Sequence, residues 1–376
     1  ASSTAYLPGG IGWYRKKFEI PENYKNKKIN IQFDGIYKNS EVWCNGYFLG
    51  KRPFGYISFK YDITPFLKSG EENVISVKVD HSDYADSRWY TGSGIYRNVY
   101  LNVHNHLHFK PWGGIFVTTP EITPEEARIK VQSNICNDRE EEQEFIIKNI
   151  IKDENGQIVT SRETSVNLPA NWQDKFNQFL KVDNPELWST ENPYLYQLET
   201  KIIQEQQVID HQTTSLGIRY FEFDPDQGFY LNGENMKLKG VCVHHAAGAL
   251  GAAVPKKVWR RRLKRLKDMG CNAIRMSHNP PAPELLDLCD SMGFLVQDEA
   301  FDEWEIPKNK WVEGWNKGTP AHDGYAEDFD EWAQKDLRDM VLRDRNHPSI
   351  IMWSIGNEID YPDDPYSHPV LDDKYE

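Results

Sequence analysis

The residues best suited to chemistry lie near the end of the sequence, where Asp344–Glu358 reads DRNHPSIIMWSIGNE. A charged segment runs into a short apolar stretch that has the length and composition of a buried strand. The pair Asn357 and Glu358 follows that stretch directly. A carboxylic acid at this position can transfer protons, and we expect the apolar strand to raise its pKa toward neutrality. The alternative is a Glu that only caps the next helix.

A second group of polar residues follows another apolar stretch, in NAIRMSHNP at 272–280. Arg275 stands at the C-terminal end of this predicted strand, with His278 and Asn279 just beyond it. An unpaired buried guanidinium is very costly, so we expect a carboxylate beside Arg275. That pairing serves either a functional site or a structural ion pair, and a nearby Glu358 favours the functional interpretation.

Two adjacent histidines, His244 and His245, end a third apolar stretch in GVCVHHAAGALGAAVP at 240–255. Neighbouring residues on a strand point to opposite faces of the sheet. The pair is therefore not expected to bind one metal ion.

The elements that position these residues alternate between strand and helix from residue 221 onward. Strand patterns and helical apolar periodicity alternate in this part of the chain, which is typical of a parallel sheet. The predicted strands are 236–243, 271–276, 294–297 and 350–353, and the predicted helices are 258–269, 283–292 and 326–345. We interpret residues 221–376 as a TIM-barrel domain with about four of its eight βα units.

The first 220 residues show only short alternating strands. Residues 1–104 contain runs such as Trp13–Phe18 and a hairpin signal at Asn45-Gly46, which predict a jelly-roll β-sandwich. Residues 105–220 carry a second set of strands separated by acidic and Gly-bearing turns, which predicts an immunoglobulin-like β-sandwich without its disulfide. The fold class is therefore multidomain, all-β followed by α/β.

Composition excludes several classes of protein. A net charge of −13 argues against a nucleic-acid partner. Five scattered cysteines without a CxxC pair indicate neither a disulfide framework nor a zinc site. No apolar stretch is long enough to span a membrane. Aromatic residues make up 13% of the chain, which suits a β-rich protein and also a protein whose aromatic faces stack on sugar rings.

The chain resembles glycoside hydrolase family 2, the β-galactosidase and β-glucuronidase family, over essentially its whole length. The resemblance is carried by GWYRKKFEIP at 12–21, SRWYTGSGIYRNVYL at 87–101, NPELWSTENPYLYQL at 184–198, and the three barrel motifs above. It implies that Glu358 is the proton donor and that Asn357 binds the sugar 2-hydroxyl.

The resemblance also implies roles for the other polar residues. Arg275 would lie beneath the catalytic carboxylates, and His278 and Asn279 would lie at the substrate rim. His244 or His245 would bind a substrate hydroxyl, although Ala246 stands where many family members have Asp. In the loop before Ser87, an acid would contact the sugar, with Asp86 as the candidate and Asp83 as the alternative; a surface acid is the other interpretation.

A magnesium site is a further implication of the resemblance. Some β-galactosidases bind magnesium with a Glu and a His after the third barrel strand. In DEAFDEW at 298–304, Glu303 matches that Glu, whereas Glu305 stands where the His would be. An oxygen-only magnesium site and a set of supporting or helix-capping acids are the two interpretations. We expect no required cofactor.

We predict a retaining exo-β-glycosidase that hydrolyses terminal β-D-galactosides. The candidate nucleophiles after Glu358 (Asp360, Asp363, Asp364, Asp372, Asp373 and Glu376) lie in a Pro- and Asp-rich loop, so we expect these 376 residues to lack the nucleophile and to be inactive alone. The alternatives are a β-glucuronidase, a β-mannosidase, or a non-catalytic carbohydrate-binding protein. The expected partner is a carbohydrate, with a homo-oligomer as an option, and a periplasmic or secreted location is favoured over the cytoplasm.

Overall fold

Two antiparallel sheets form the N-terminal β-sandwich of this computed structural model, which describes residues 7, 9–83, 85–314 and 317–359. The sheet orders are β1-β7-β4-β5 and β6-β2-β9, with β3 and β8 as a separate pair. Alternate residues of each strand point inward, so Ile31, Val42 and Val77 meet in a common core. The strands are β1 Ile11–Glu19, β2 Lys28–Phe33, β3 Ile36–Tyr37, β4 Ser40–Cys44, β5 Tyr47–Arg52, β6 Phe59–Asp62, β7 Glu72–Asp80, β8 Gly94–Ile95 and β9 Val99–His104.

A second β-sandwich follows, again built from antiparallel sheets. In one sheet, β12 pairs with β10, β11 and β15; the other has the order β14-β13-β16-β17. Their inner faces share a core that includes Ile129, Ile147 and Leu198. The strands are β10 Leu107–Phe109, β11 Ile115–Ile122, β12 Glu126–Asn137, β13 Gln143–Lys152, β14 Ile158–Leu168, β15 Trp172–Asp183, β16 Tyr196–Gln204 and β17 Gln207–Leu216.

The remaining described residues form part of a TIM barrel. A small antiparallel sheet (β18 Phe221–Asp224, β19 Gly228–Leu231 and β20 Glu234–Met236) leads into a parallel sheet of order β21-β22-β23-β24. The first two helices of this region pack against the sheet around Trp259, Leu286 and Phe294, whereas the third packs through Met340 in a cluster that includes Phe54 of the first sandwich. The elements are β21 Gly240–Val243, α1 Lys256–Asp268, β22 Ala273–Met276, α2 Pro283–Met292, β23 Leu295–Glu299, α3 Phe329–Asp344 and β24 Ile350–Ser354.

The predicted alternation of strands and helices is confirmed, with one strand divided. The strand expected at 236–243 is two strands, because β20 ends at Met236 and β21 begins at Gly240. Helix α2 has the predicted bounds, and α1 and α3 differ from prediction only at their ends. Four parallel strands make this region a partial barrel, as the sequence indicated.

Two arginines, one buried and one partly buried, fix both sandwiches against the barrel. Arg97 of the first sandwich donates hydrogen bonds to the carbonyls of Tyr56, Pro280 and Pro281 at 2.7, 3.0 and 3.2 Å. Arg219, which follows the second sandwich, donates to the carbonyl of Ile350 at 2.7 Å. The loops after β22 and the start of β24 are therefore held by side chains from outside the barrel.

Two negative observations apply to the described residues alone. None of their helices combines the length and apolar character that a membrane crossing requires. All five cysteines, which lie within the described residues, are free thiols.

Candidate active site

Several of the polar residues singled out in the sequence converge at the C-terminal ends of the four parallel strands. Arg275 from β22 donates from Nε to Oε2 of Glu299 at 2.8 Å and from Nη2 to Oδ1 of Asn357 at 2.9 Å. Asn357 in turn donates from Nδ2 to Oδ1 of Asp302 at 2.8 Å. One guanidinium therefore joins the ends of three strands and orients the amide that precedes Glu358.

The carboxylate partner expected for Arg275 is Glu299, the last residue of β23. Its side chain is fully buried and also accepts hydrogen bonds from Nδ1 of His278 at 2.5 Å and from Oγ of Ser354 at 2.7 Å. Three donors satisfy the hydrogen-bonding capacity of this buried carboxylate. Glu299 therefore organises the site from below and is not exposed to a substrate.

Glu358 lies at the mouth of the site, four residues beyond the end of β24. Its side chain is 46% exposed, and it accepts a hydrogen bond from Nη2 of Arg88, in the loop before β8. Nζ of Lys308 lies 3.7 Å from its Oε2. Two cations from separate parts of the chain therefore approach this carboxylate.

The expected rise in the pKa of Glu358 is wrong for this structure. Burial favours a higher pKa, but the hydrogen bond and charge of Arg88 and the charge of Lys308 outweigh it, so the pKa lies below the ordinary Glu value. The strand residues expected to dry the site, Met352 and Trp353, are themselves partly exposed, at 37% and 38%. Glu358 is therefore ionised here at neutral pH.

The two adjacent histidines directly follow the end of β21, and their rings lie in different environments. The ring of His244 lies 5.0 Å from Trp89 and 5.4 Å from His278, and it faces the mouth of the site. His245 is buried between Tyr96 and Trp259, and burial holds its pKa well below the usual value. Of the two, His244 has the position for a substrate contact.

His278 and Asn279 occupy different environments. His278 forms one wall of the mouth, with Trp89 at 5.6 Å and Glu299 as its hydrogen-bond partner. Asn279 is only 4% exposed and donates to the carbonyl of Ser277 at 3.3 Å. The expectation that Asn279 lies at an open rim is therefore not met, because the loop turns its amide into the protein.

Asp86 belongs to the same loop as Arg88, and its side chain points into the protein. Its Oδ2 accepts a hydrogen bond from the hydroxyl of Tyr37 at 2.9 Å, and it lies 3.1 Å from Nζ of Lys38 and 3.5 Å from Nε2 of His81. Burial would raise the pKa of Asp86, but His81 and Lys38 lower it overall. The carboxylate is 1% exposed and anchors the loop, whereas the alternative Asp83 is on the surface. A sugar contact from Asp86 stays a prediction.

Both carboxylate oxygens of Glu303 already accept hydrogen bonds from other residues of the chain. Its carboxylate accepts hydrogen bonds from Nζ of Lys310 at 2.6 Å and from the backbone N–H groups of Lys308 and Ala326 at 3.0 and 3.3 Å. Glu305 is exposed. Within the described residues no cluster of three or more His, Cys, Asp or Glu side chains could hold a metal. The residues present therefore do not fit a magnesium ion at Glu303.

Five residues of the site were not singled out by sequence: Arg88, Trp89, Glu299, Asp302 and Lys308. Arg88 and Glu299 lie inside motifs already noted, and Glu299 ends a barrel strand, which is a signal for function in this fold. Lys308 follows no motif, because its position depends on how the loop after β23 folds. The acids from Asp360 to Glu376, considered as nucleophiles, lie outside the described residues.

Comparison with known proteins agrees with the resemblance at each part of the chain. Three profiles of one family match: the sugar binding domain of glycosyl hydrolases family 2 at residues 4–105, a second domain of that family at 114–219, and its TIM barrel domain at 225–368. A β-galactosidase of Bacteroides ovatus is 48% identical over 94% of this chain and 40% of its own length. A β-glucuronidase of Formosa agariphila is 33% identical over 93% of this chain and 36% of its own length.

A solved structure gives the same result in three dimensions. The crystal structure of a glycosyl hydrolase family 2 member from Bacteroides cellulosilyticus has a TM-score of 0.88 and 43% identity, over 95% of this chain and 45% of that one. The chain therefore spans less than half the length of each of these three proteins. Sequence profiles, relatives and fold agree, and the chain belongs to glycoside hydrolase family 2.

Proposed function

We propose that the protein containing this chain is a retaining exo-β-glycosidase, with terminal β-D-galactosides as its substrates and Glu358 as its general acid and base. The observation that carries the proposal is the geometry around Glu358. It is the exposed carboxylate at the mouth, while Asp302 and Glu299 are committed to lysine and arginine partners.

Hydrolysis with retention needs two carboxylates about 5 Å apart, one of which alternates between acid and base. In the second step the acid/base must be ionised to activate water, and the contacts of Glu358 with Arg88 and Lys308 supply that form. In the first step it must carry a proton, which requires a sugar at the mouth to weaken the contact with Arg88 and to exclude water. The nucleophile is proposed to come from sequence outside these 376 residues, since the relatives are more than twice as long as the segments that match.

The walls of the mouth suit a sugar ring. Trp89, His244 and His278 present three rings within 5.0 to 5.6 Å of one another. Asn357, fixed by Arg275, supplies an amide near the acid/base, in the position proposed to bind the 2-hydroxyl. Aromatic faces with a few oriented polar groups are typical of sites that bind small polar ligands.

A neutral sugar such as galactose fits the local charges better than a uronic acid. Each cation that the described residues place near Glu358 already contacts a carboxylate: Arg88 contacts Glu358, Lys308 contacts Asp302, and Arg275 contacts Glu299. A glucuronate carboxylate would have to compete for these cations. The relative named as a β-glucuronidase is the reason that glucuronides remain the second candidate.

The test is a substrate panel on the complete protein. Aryl β-D-galactoside, β-D-glucuronide and β-D-mannoside are compared by kcat/KM, with aryl α-D-galactoside as the control, and the anomer first released is identified by NMR. We expect the highest kcat/KM on the β-galactoside and release of the β-anomer. A higher kcat/KM on the glucuronide would show that the substrate is a glucuronide and not a galactoside. Release of the α-anomer would contradict retention. Sugar binding without turnover would indicate a non-catalytic protein.

A further inference from the structure

Two lysines with almost no exposed surface lie among the acids of the candidate active site. The side chain of Lys308 is 3% exposed and that of Lys310 is fully buried. Both belong to the loop after β23, which is fixed by a pair of backbone hydrogen bonds between Lys310 and Ala321, each 2.9 Å long. Lysine is almost never fully buried unless it is paired, so each ammonium is expected to have a specific partner.

The ammonium of Lys308 connects Asp302 with Asn357, the residue that precedes the proposed acid/base. Its Nζ donates to Oδ1 and to the carbonyl oxygen of Asp302 at 2.9 and 2.5 Å, and to the carbonyl of Asn357 at 2.7 Å. Three acceptors account for all three protons of the ammonium. The same Nζ is 3.7 Å from Oε2 of Glu358. Lys308 therefore fixes the backbone next to Glu358 and contributes a positive charge beside its carboxylate.

Lys310 supplies the positive charge that pairs with the carboxylate of Glu303. The two side chains form a buried pair at 2.6 Å, which leaves neither charge uncompensated. The chain also passes very close to the pair, because a Cβ at Gly324 would lie 2.1 Å from Oε1 of Glu303 and 3.0 Å from Nζ of Lys310. The pair is thus enclosed by backbone.

These distances leave little place for a divalent cation. Magnesium prefers six oxygen ligands and usually retains several waters, so it needs both room and several free carboxylate oxygens. Here the ammonium of Lys308 contacts Asp302, that of Lys310 contacts Glu303, and the backbone at Gly324 closes on Glu303. A lysine ammonium supplies fixed positive charge at the same acids.

From this geometry we propose that Lys308 is a positioning residue for Glu358. Lys308 and Lys310 together supply the positive charge that balances Asp302 and Glu303, in place of a divalent metal. The inference extends the proposed function, since it takes Glu358 as the acid/base. Lys308 does not touch the substrate in this scheme; it acts through Asn357 and Glu358.

The first experiment addresses the metal and needs no variant. The complete protein is stripped with EDTA, and its thermal unfolding midpoint and its activity on an aryl β-glycoside are measured with and without added MgCl2. We expect neither to change. A rise in the unfolding midpoint on adding MgCl2, or activity lost in EDTA and restored by MgCl2, would overturn the proposed counter-charge. The unfolding measurement gives an answer even if the protein proves not to hydrolyse glycosides.

The second experiment addresses Lys308 with Lys308→Met and the conservative Lys308→Arg, using exposed Lys317→Met as the matched control. General acid catalysis matters most for poor leaving groups, and kcat/KM reports the step in which the leaving group departs. Lys308→Met should therefore lower kcat/KM about 10- to 100-fold on an alkyl glycoside and about threefold or less on a dinitrophenyl glycoside. Lys308→Arg should recover part of the loss.

A purely structural role for Lys308 predicts a different pattern. Misfolding lowers the active fraction and therefore lowers kcat by the same factor on every substrate. An equal loss on both leaving groups, or no loss on either, would overturn the positioning role. If Lys308→Met does not fold, the comparison of the two leaving groups is made with Lys308→Arg. The guanidinium is larger than the ammonium and planar, so it shifts the contact with Asn357 while it retains the charge.

Discussion

The guanidinium of Arg88, in the first β-sandwich, donates a hydrogen bond to the carboxylate of Glu358, in the barrel. The two residues are 270 positions apart in the chain. The protonation of the proposed acid/base is therefore set partly by a domain that carries none of the barrel's own strands. This contact accounts for a pKa of Glu358 below its ordinary value, together with the neighbouring Lys308.

Removing Arg88 should raise the pKa of Glu358. The charged groups that face Glu358 are Arg88, Lys308 and Asp302. In Arg88→Met, Lys308 is the one cation of these three that remains. The alkaline limb of the kcat/KM profile reports the acid of the free enzyme, so we expect that limb to move to higher pH. The profile of the complete protein is compared with that of exposed Arg15→Met. A limb that stays in place or moves to lower pH would contradict the assignment.

Replacing Arg275 by lysine should disable the site without removing charge. A single ammonium cannot reproduce the two directed hydrogen bonds to Glu299 and Asn357, so the amide beside Glu358 loses its orientation. A misplacement of this kind lowers kcat/KM by about 100-fold. The control is Arg260→Lys on the exposed face of α1. Activity close to wild type in Arg275→Lys would show that the bridge is not needed.

The ion pair of His347 and Asp290, whose side chains are 17% and 3% exposed, predicts a loss of stability in alkali. Burial lowers the pKa of His347, but the charge and hydrogen bond of Asp290 outweigh it and raise the pKa from 6.5 to about 9. Because the folded-state pKa is the higher one, the stabilisation is complete below about pH 6.5 and is lost as the pH rises through 9; the difference corresponds to about 3 kcal/mol.

The measurement for that pair is the thermal unfolding midpoint of the complete protein between pH 6 and 9.5. His347→Gln should have a lower midpoint at pH 6 and a shallower decline with pH than the wild type. Exposed His211→Gln should decline as the wild type does. A His347→Gln curve parallel to the wild-type curve would exclude the linkage.

Arg52 is expected to hold the first sandwich to helix α3. Its Nη2 lies 2.5 Å from Asp336 and 2.7 Å from Asp339, and its side chain is 3% exposed. Arg52→Met would leave two buried carboxylates without their cation, which typically costs about 3 to 5 kcal/mol. We expect a clearly lower unfolding midpoint, measured against Lys51→Met, whose side chain is on the exposed face of the same strand. An equal midpoint in both variants would contradict this role.

The strands, the helices and the convergence of Arg275, Asn357 and Glu358 could be predicted because they depend on local periodicity and on the strand-end rule for parallel sheets. The pKa of Glu358 could not, because the cations that lower it come from two distant loops. For the same reason the sequence left His244 and His245 undecided, and gave no sign that Lys310 would neutralise Glu303. Contacts between loops depend on tertiary packing, which no local pattern encodes.

The most direct test of the account is Glu358→Gln in the complete protein, assayed on β-glycosides whose leaving groups range from alkyl alcohols to dinitrophenol. Glutamine retains the shape of the side chain but cannot donate the proton. We predict that kcat/KM falls by about 100-fold or more on alkyl glycosides and far less on the dinitrophenyl glycoside, which needs no proton to leave. Equal slowing across the whole series would remove Glu358 from the acid role.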